Sequence, residues 1–242
     1  MPPLLPGVSV GCVSLEMRTS QLVRPLAMLN SGLHPGRFWD ARDMTVTEYD
    51  HAKASIRALA ELPIVINDQS GLNASQISSQ ARQMHEAGAT IIFVDFVQII
   101  RQDEKDRREA INRASASLRD TYKLLNIPVV VASQPARRDA DPNRRPNLQD
   151  LRESRKLEHY AHNVLMLYRP VDQQGEWTGL DRVIIAKQRE GVTGDIDVRY
   201  DTEALIFGLG EEQWAKPSRN FDRAPPRGGP GFAATSWRAA GV

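Results

Sequence analysis

Five side chains in this sequence follow short apolar runs, and their types suit phosphate chemistry. Asp95 closes the run Thr-Ile-Ile-Phe-Val-Asp95 and is followed by Phe-Val-Gln98. A carboxylate at the carboxyl end of a buried parallel strand lies where open α/β sheets place their ligands. There it can hold Mg²⁺ through water while the metal bridges nucleotide phosphates. Glu16 stands in Ser14-Leu15-Glu16-Met17, directly after another apolar run, and can polarise an attacking water as a general base. Gln134 ends Val-Val-Val-Ala-Ser133-Gln134. A neutral amide just past a strand can hydrogen-bond a terminal phosphate and shift when that phosphate leaves. Lys187 and Arg189, in Ile-Ala-Lys187-Gln188-Arg189-Glu190-Gly191, share one face of an extended segment, which suits a polyphosphate.

A further polar cluster, Asp150-Leu151-Arg152-Glu153-Ser154-Arg155-Lys156, follows a long polar loop. Arginine there can contact a phosphate backbone, with Glu153 orienting it. Taken singly, each cluster also has an ordinary structural explanation. Asp95 can cap a turn, Ser14 with Glu16 reads as a helix N-cap with first-turn charge, and Gln134 reads as loop polarity. Arg152 with Glu153 reads as a solvated ion pair at a helix start. His159 and His162, three apart beside Glu158, lack a third convergent ligand, so a solvated helix face is expected there rather than a metal site.

The elements that must position these side chains are legible as runs of two kinds. Apolar, β-branched stretches at Val8–Val13, Pro63–Asn67, Thr90–Val97, Ile127–Ala132, Asn163–Tyr168, Val183–Ala186 and Ile196–Tyr200 predict strands. Several are continuously apolar, the signature of strands covered on both faces in a parallel sheet. Helical patterns are predicted at Leu15–Leu29, Val46–Leu62, Ala74–Ala87 (stopped by Gly88) and Glu104–Leu125. The early β-α-α-β-α-β-α-β order predicts a doubly wound α/β domain with right-handed crossovers. The last two predicted strands have a short link and are expected to close the sheet as an antiparallel edge. Pro135–Pro146 reads as a loop.

The order and spacing of the clusters add what none carries alone. SLEM, IIFVDFVQI, VVVASQ, DLRES and KQREG, each at or just beyond a strand, together with Asp68-Gln69-Ser70-Gly71-Leu72, closely resemble the C-terminal ATPase domain of DnaB-type bacterial replicative DNA helicases. The resemblance extends from about Val8 to Gly208. It implies a RecA-like fold: a mostly parallel sheet with helices on both faces. It further implies that Glu16 activates water, that Asp95 is the Walker B aspartate associated with Mg²⁺, and that Gln134 links the γ-phosphate state to movement of the DNA-binding loops. Arg152, Glu153 and Ser154, with Arg155 beside them, match the loop facing single-stranded DNA in a ring's channel. Lys187 and Arg189 match the pair reaching a neighbouring subunit's ATP site, with Arg189 as the finger. ATP and Mg²⁺ are the implied cofactors. The implied partners are single-stranded DNA, further helicase subunits in a homo-hexamer, and a primase or helicase loader.

The sequence departs from the family in one large respect. It contains no GxxxxGK[ST] segment, which the family places one helix and one strand ahead of SLEM and whose backbone N–H groups, lysine and hydroxyl hold phosphates and Mg²⁺. The sheet is therefore expected to lack its first strand and P-loop helix, and the isolated chain to bind ATP weakly or not at all. Two functional readings stand: an ATP-dependent 5′→3′ replicative helicase, present as a motor-domain fragment, or a non-hydrolysing helicase-associated or single-stranded-DNA-binding regulatory protein of the same fold. A smaller departure is Arg155-Lys156 where the family has Gly-Ser, which adds cations but puts a Cβ where a backbone N–H would approach DNA.

Composition bounds the rest. Among 242 residues, 31 basic side chains nearly balance 30 acidic ones, so any nucleic-acid contact must rest on local charge. One cysteine, Cys12, excludes a disulfide scaffold. No apolar run approaches the roughly 18 residues of a membrane span, and MPPLLPGVSV lacks the basic and apolar regions of a signal peptide. A soluble cytoplasmic protein without membrane partners is expected. The domain is expected to span 1–209. Residues 210–242, with five basic and one acidic side chain from Trp214 onward and many Pro and Gly, are expected to form a disordered basic tail.

Overall fold

The computed structural model of the chain describes residues 7–39, 42, 44–95, 97–99, 107–135, 144–172, 174–202 and 206–208, without the side chains of 99, 107, 108 and 152–155. The predicted tail and most of the Pro135–Pro146 loop lie outside the described residues. The elements are β1 (Val10–Ser14), α1 (Thr19–Ser31), α2 (Pro35–Trp39), α3 (Val46–Ala60), β2 (Ile64–Asn67), α4 (Ala74–Glu86), β3 (Ile91–Asp95), α5 (Arg107–Leu125), β4 (Val129–Val131), α6 (Arg155–Tyr160), β5 (Asn163–Tyr168), β6 (Asp181–Gln188), β7 (Gly194–Asp201) and β8 (Ile206–Gly208).

β1 to β4 form a parallel sheet in the order β2-β1-β3-β4. From β1 the chain moves outward to β2, then crosses back to β3 and continues to β4. With right-handed crossovers this reversal puts α1–α3 on one side of the sheet and α4 and α5 on the other. The second side holds the main core: Val13, Ile92 and Val94 from the strands pack with Ile77, Ala81, Met84, Ile111, Ala114 and Leu118 from α4 and α5. Gly11 permits this approach. A Cβ there would lie 2.6 Å from Ile92 Cδ1 and 2.9 Å from Met84 Sδ, closer than carbon and sulfur can stand. α4 starts where the sequence predicts, because Asn73 and Gln76 cap each other's backbone N–H groups. It stops through Gly88, whose φ of 103° lets Ala89 N–H reach back to the Met84 carbonyl.

Two expectations need correction. The helix predicted at Leu15–Leu29 starts at Thr19. Ser14 does not cap it; its hydroxyl instead donates to the Met17 carbonyl and accepts from the Met17 N–H, closing a turn across Leu15 and Glu16. The cap comes from a distant residue, since Asp68 accepts the Thr19 N–H at 2.7 Å. That bond holds the Asp68 carboxyl below its ordinary pKa.

The late strands do not close the parallel sheet. β5 to β8 make a second, antiparallel sheet in chain order. No described strand lies between β4 and β5, so the two sheets stay separate. β5 alternates, with Val164 and Met166 packed against Ile184 and Leu151 and Leu165 and Leu167 exposed. Asp181 is buried and takes two hydrogen bonds from Arg169 and one from the Tyr200 N–H. Burial would raise its pKa, but these bonds outweigh burial and hold it below the ordinary carboxylate value. The Arg169 guanidinium also lies 4.9 Å from the Trp177 ring centroid. Among the described residues no helix is long and apolar enough to cross a membrane.

Candidate functional site

The parallel register builds the site. Ser14 on β1 stands level with Asp95 on β3, and Val94 stands level with Val131 on β4. Glu16, Asp95 and Gln134 therefore leave the carboxyl ends of three adjacent strands at one edge of the sheet. β1 and β3 flank the point where the chain reverses its progress across the sheet, and open α/β sheets hold ligands in the crevice at such a point. Leu15 N–H donates to the Asp95 carbonyl at 2.7 Å, which ties the two strand exits together. Cys12, two residues before Ser14 and on the same face of β1, has its thiol pKa raised by burial first and by the Asp95 charge second.

Beyond β3 the chain is pinned against the exit of β4. The Val97 N–H donates to the Ala132 carbonyl. Gln98 then clamps the Gln134 segment, its Nε2 donating to Ser133 Oγ and to the Gln134 carbonyl, each at 2.8 Å, while its Oε1 accepts the Gln134 N–H. Glu16 and Gln134 are exposed and Asp95 is half-buried. Among the described residues, the side chains of Glu16, Asp95 and Gln134 make no hydrogen bond within the chain. Two carboxylates and an amide thus stand at one edge of the sheet, Glu16 and Gln134 exposed and Asp95 half-buried.

The other predicted residues lie elsewhere. Lys187 near the end of β6 and Arg189 just beyond it turn toward α6 of their own chain. Lys187 Nζ donates to the carbonyls of Glu158 (2.6 Å) and His159 (3.4 Å), and Arg189 Nη2 to that of His159 (3.2 Å). Cations suit these carbonyls, which end a helix and have no partner within it. Arg152, Glu153 and Ser154 end a 3-10 helix (Leu148–Ser154) that runs into α6 at Arg155; their side chains, and that of Arg155, lie outside the described residues. His159 and His162 make aromatic contacts, His162 with Tyr122 and His159 with Tyr160. Among the described residues no group of three potential ligands could hold a metal.

Sequence reasoning assigned no role to Gln98 or Asp68, although both fall inside the quoted motifs. Asp68 sits just past β2, next to β1 in the sheet, and so can cap α1; only the strand order makes that visible. Two loop arginines are already engaged: Arg144 with buried Asp150, and Arg145 with Asp195 of β7.

The residues present fit a Mg²⁺ ion in part. Magnesium keeps most of its waters and needs one or two carboxylates plus phosphate oxygens, so Asp95 suffices on the protein side. The triphosphate is not provided for in the same way, because among the described residues no glycine-rich turn with a lysine stands at this edge.

A parallel sheet with polar residues at its carboxyl edge, followed by a separate antiparallel sheet, is the arrangement of a RecA-like fold. A KaiC-like protein from Pyrococcus horikoshii OT3 shares that fold at TM-score 0.56 and 15% identity. A solved ATPase domain matches at TM-score 0.76 and 27% identity, over 84% of this chain and 75% of that one. A DnaB-like replicative helicase, whose structure was described with its interactions with primase, matches at TM-score 0.73 and 27% identity over 83% of this chain and 50% of that one. Residues 5–208 match the family model for the DnaB-like helicase C terminal domain. The replicative DNA helicase DnaB of Rickettsia bellii (strain RML369-C) is 31% identical over 82% of this chain and 45% of its own length. The replicative DNA helicase DnaC of Bacillus subtilis (strain 168) is 30% identical over 90% and 48%. The chain belongs to the DnaB-like helicase C-terminal domain family, and it spans a little under half the length of these two curated relatives.

Proposed function

We propose that this chain is part of the motor of an ATP-dependent replicative DNA helicase that moves 5′→3′ on single-stranded DNA, with residues 1–209 as the motor portion. The observation that carries this reading is the gathering of Glu16, Asp95 and Gln134 at the crevice between β1, β3 and β4. In that role Glu16 polarises the attacking water, Asp95 holds a metal-bound water, and Gln134 senses the terminal phosphate. Gln98 keeps the Gln134 segment in register with Asp95. Lys187 and Arg189 serve a neighbouring subunit's site, which makes turnover depend on assembly. Arg152, Glu153, Ser154 and Arg155 face the DNA backbone, and exposed Lys156 adds charge there. Other helicase subunits, as in a homo-hexamer, and a primase or loader are the protein partners that fit the family. The cytoplasm is the compartment that fits.

The 242 residues contain no GxxxxGK[ST] segment, so their expected ATPase activity alone is negligible. The test is ATP turnover by the purified 242-residue chain, with and without single-stranded DNA, and with or without a subunit that bears a P-loop. Turnover restored only by that subunit supports the motor reading. Vigorous turnover by the chain alone overturns the assignment of phosphate binding to a missing loop. A stable complex that binds DNA yet never gains turnover favours the regulatory reading.

A further inference from the structure

Lys187 and Arg189 reach α6 because β6 is one residue too long for its partner strand. From Tyr168 opposite Arg182 to Leu165 opposite Ile185, β5 and β6 pair residue for residue; Val164 then stands opposite Lys187, and Ala186 is left over. A bulge of this kind sends the side chains that follow it to the other face of the sheet. Regular alternation would put Lys187 and Arg189 with Ile185 and exposed Leu165. The extra residue puts them with Val164, on the face packed against Leu148, Leu151 and Ala161. There the end of α6 receives them. The Ala161 N–H donates to the Leu157 carbonyl at 2.9 Å, and the next carbonyls, of Glu158 and His159, have no partner within the helix. The two cations supply one. The Arg189 N–H also donates to the His162 carbonyl, so backbone and side chain hold the same junction. The end of α6 is itself fixed to α5. The Arg119 guanidinium lies 4.5 Å from the Tyr160 ring centroid, and the Tyr122 and His162 ring centroids are 5.1 Å apart.

We propose that this contact is an autoinhibitory latch: the end of α6 stores Lys187 and Arg189, and a polyphosphate takes the pair only once it leaves the α6 carbonyls. Tyr160, stacked with Arg119, is the positioning residue that keeps the latch shut. The two states exclude each other for an electrostatic reason. The free carbonyls at a helix end carry partial negative charge, so a phosphate and the end of α6 compete for the same cations. While the latch is shut, polyphosphate affinity is reduced by the small fraction of chains that are open. The latch stands on the bulge and the α6 contacts alone; the polyphosphate as the competing ligand rests on the proposed function, whose site it regulates.

The experiment uses the purified 242-residue chain and inorganic tripolyphosphate. Amine acetylation is read residue by residue by mass spectrometry, and tripolyphosphate binding by phosphorus NMR. In the parent chain Lys187 acetylates about tenfold more slowly than exposed Lys156 near the start of α6, the scale of one charge-assisted hydrogen bond. Tyr160→Ala speeds Lys187 acetylation and tightens tripolyphosphate binding, each by about fivefold or more. Tyr160→Phe, which keeps the ring beside Arg119, matches the parent. Arg189→Ala in the Tyr160→Ala chain removes the gain in binding. Arg119→Ala opens the latch in the same way, which keeps the test decisive if Tyr160→Ala fails to fold. Equal acetylation of Lys187 and Lys156 in the parent overturns the proposal, as does faster Lys187 acetylation with tripolyphosphate binding unchanged. So does an increase that exposed Lys53 on α3 shares, because Tyr160 then serves folding alone. If the latch opens as expected but ATP turnover in a complex with P-loop-bearing subunits is indifferent to Arg189, the latch stands and the motor reading fails.

Discussion

The two sheets treat their polar residues in opposite ways. At the carboxyl edge of β1, β3 and β4, the carboxylates of Glu16 and Asp95 and the amide of Gln134 stand without partners among the described residues, while backbone bonds and Gln98 fix the chain beneath them. In the antiparallel sheet the charged groups are already matched. Asp181 holds Arg169, Asp195 holds Arg145, and Lys187 and Arg189 rest on the carbonyls of α6. The first arrangement is the one that the proposed function requires, with exposed or half-buried groups left for an incoming ligand. The second uses its charges to hold shape. Lys187 and Arg189 stand between these cases, since the role proposed for them at a neighbouring subunit's site requires them to leave the α6 carbonyls.

The largest effect that would sharpen this contrast is expected at Arg189. In a complex restored to ATP turnover by P-loop-bearing subunits, Arg189→Ala should lower kcat by on the order of 10³-fold, while the chain's own melting temperature moves little. If melting shifts and turnover does not, Arg189 belongs wholly to the α6 contact. Glu16→Gln should follow, with a loss of about 10²-fold or more in kcat and intact assembly by light scattering. A variant as active as the parent would remove Glu16 from the site.

Stability predictions break the comparison from the other side. Arg169→Met leaves the buried Asp181 carboxylate with the Tyr200 N–H alone and should destabilise the antiparallel sheet by about 2 kcal/mol, the scale of hydrogen bonds to a charged group. Denaturant unfolding measures it. Gln98→Ala should cost about 1 kcal/mol and, in the restored complex, lower turnover more than stability explains, because it loosens the Gln134 segment. Smallest is the acid dependence. Asp181 and Asp195 both have pKa values below the ordinary carboxylate value, Asp195 through its bonds to Arg145 first. Such groups contribute stability above the unfolded pKa of roughly 4 and lose it as pH falls through the lower folded values. Thermal melts between about pH 5 and pH 2 should therefore show the antiparallel sheet weakening, and Arg169→Met should flatten that slope. A parent chain whose stability does not change over this range would remove both pairs from the account.

Much of this arrangement was readable in advance because parallel strands covered by helices write themselves as unbroken β-branched runs. β3 and β4 fall inside the predicted spans, and the polar residue after each run is at a strand exit for the same reason. What could not be read was pairing. The SLEM turn looks like a helix start until Asp68, 49 residues from Thr19, is seen to supply the cap. The late strands look like an edge of the first sheet until, among the described strands, β5 is found pairing with β6 alone. β8 carries too short an apolar run to register as a strand at all.

Taken alone, the sequence determined the kinds of element, their order and the chemical types at their ends, because those depend on local periodicity and on which side chains tolerate a strand exit. Tertiary structure decided which exits stand side by side, that the described strands form two sheets rather than one, and that Lys187 and Arg189 turn to α6. These depend on hydrogen bonds and packing between residues far apart in the chain, whose geometry no local pattern encodes.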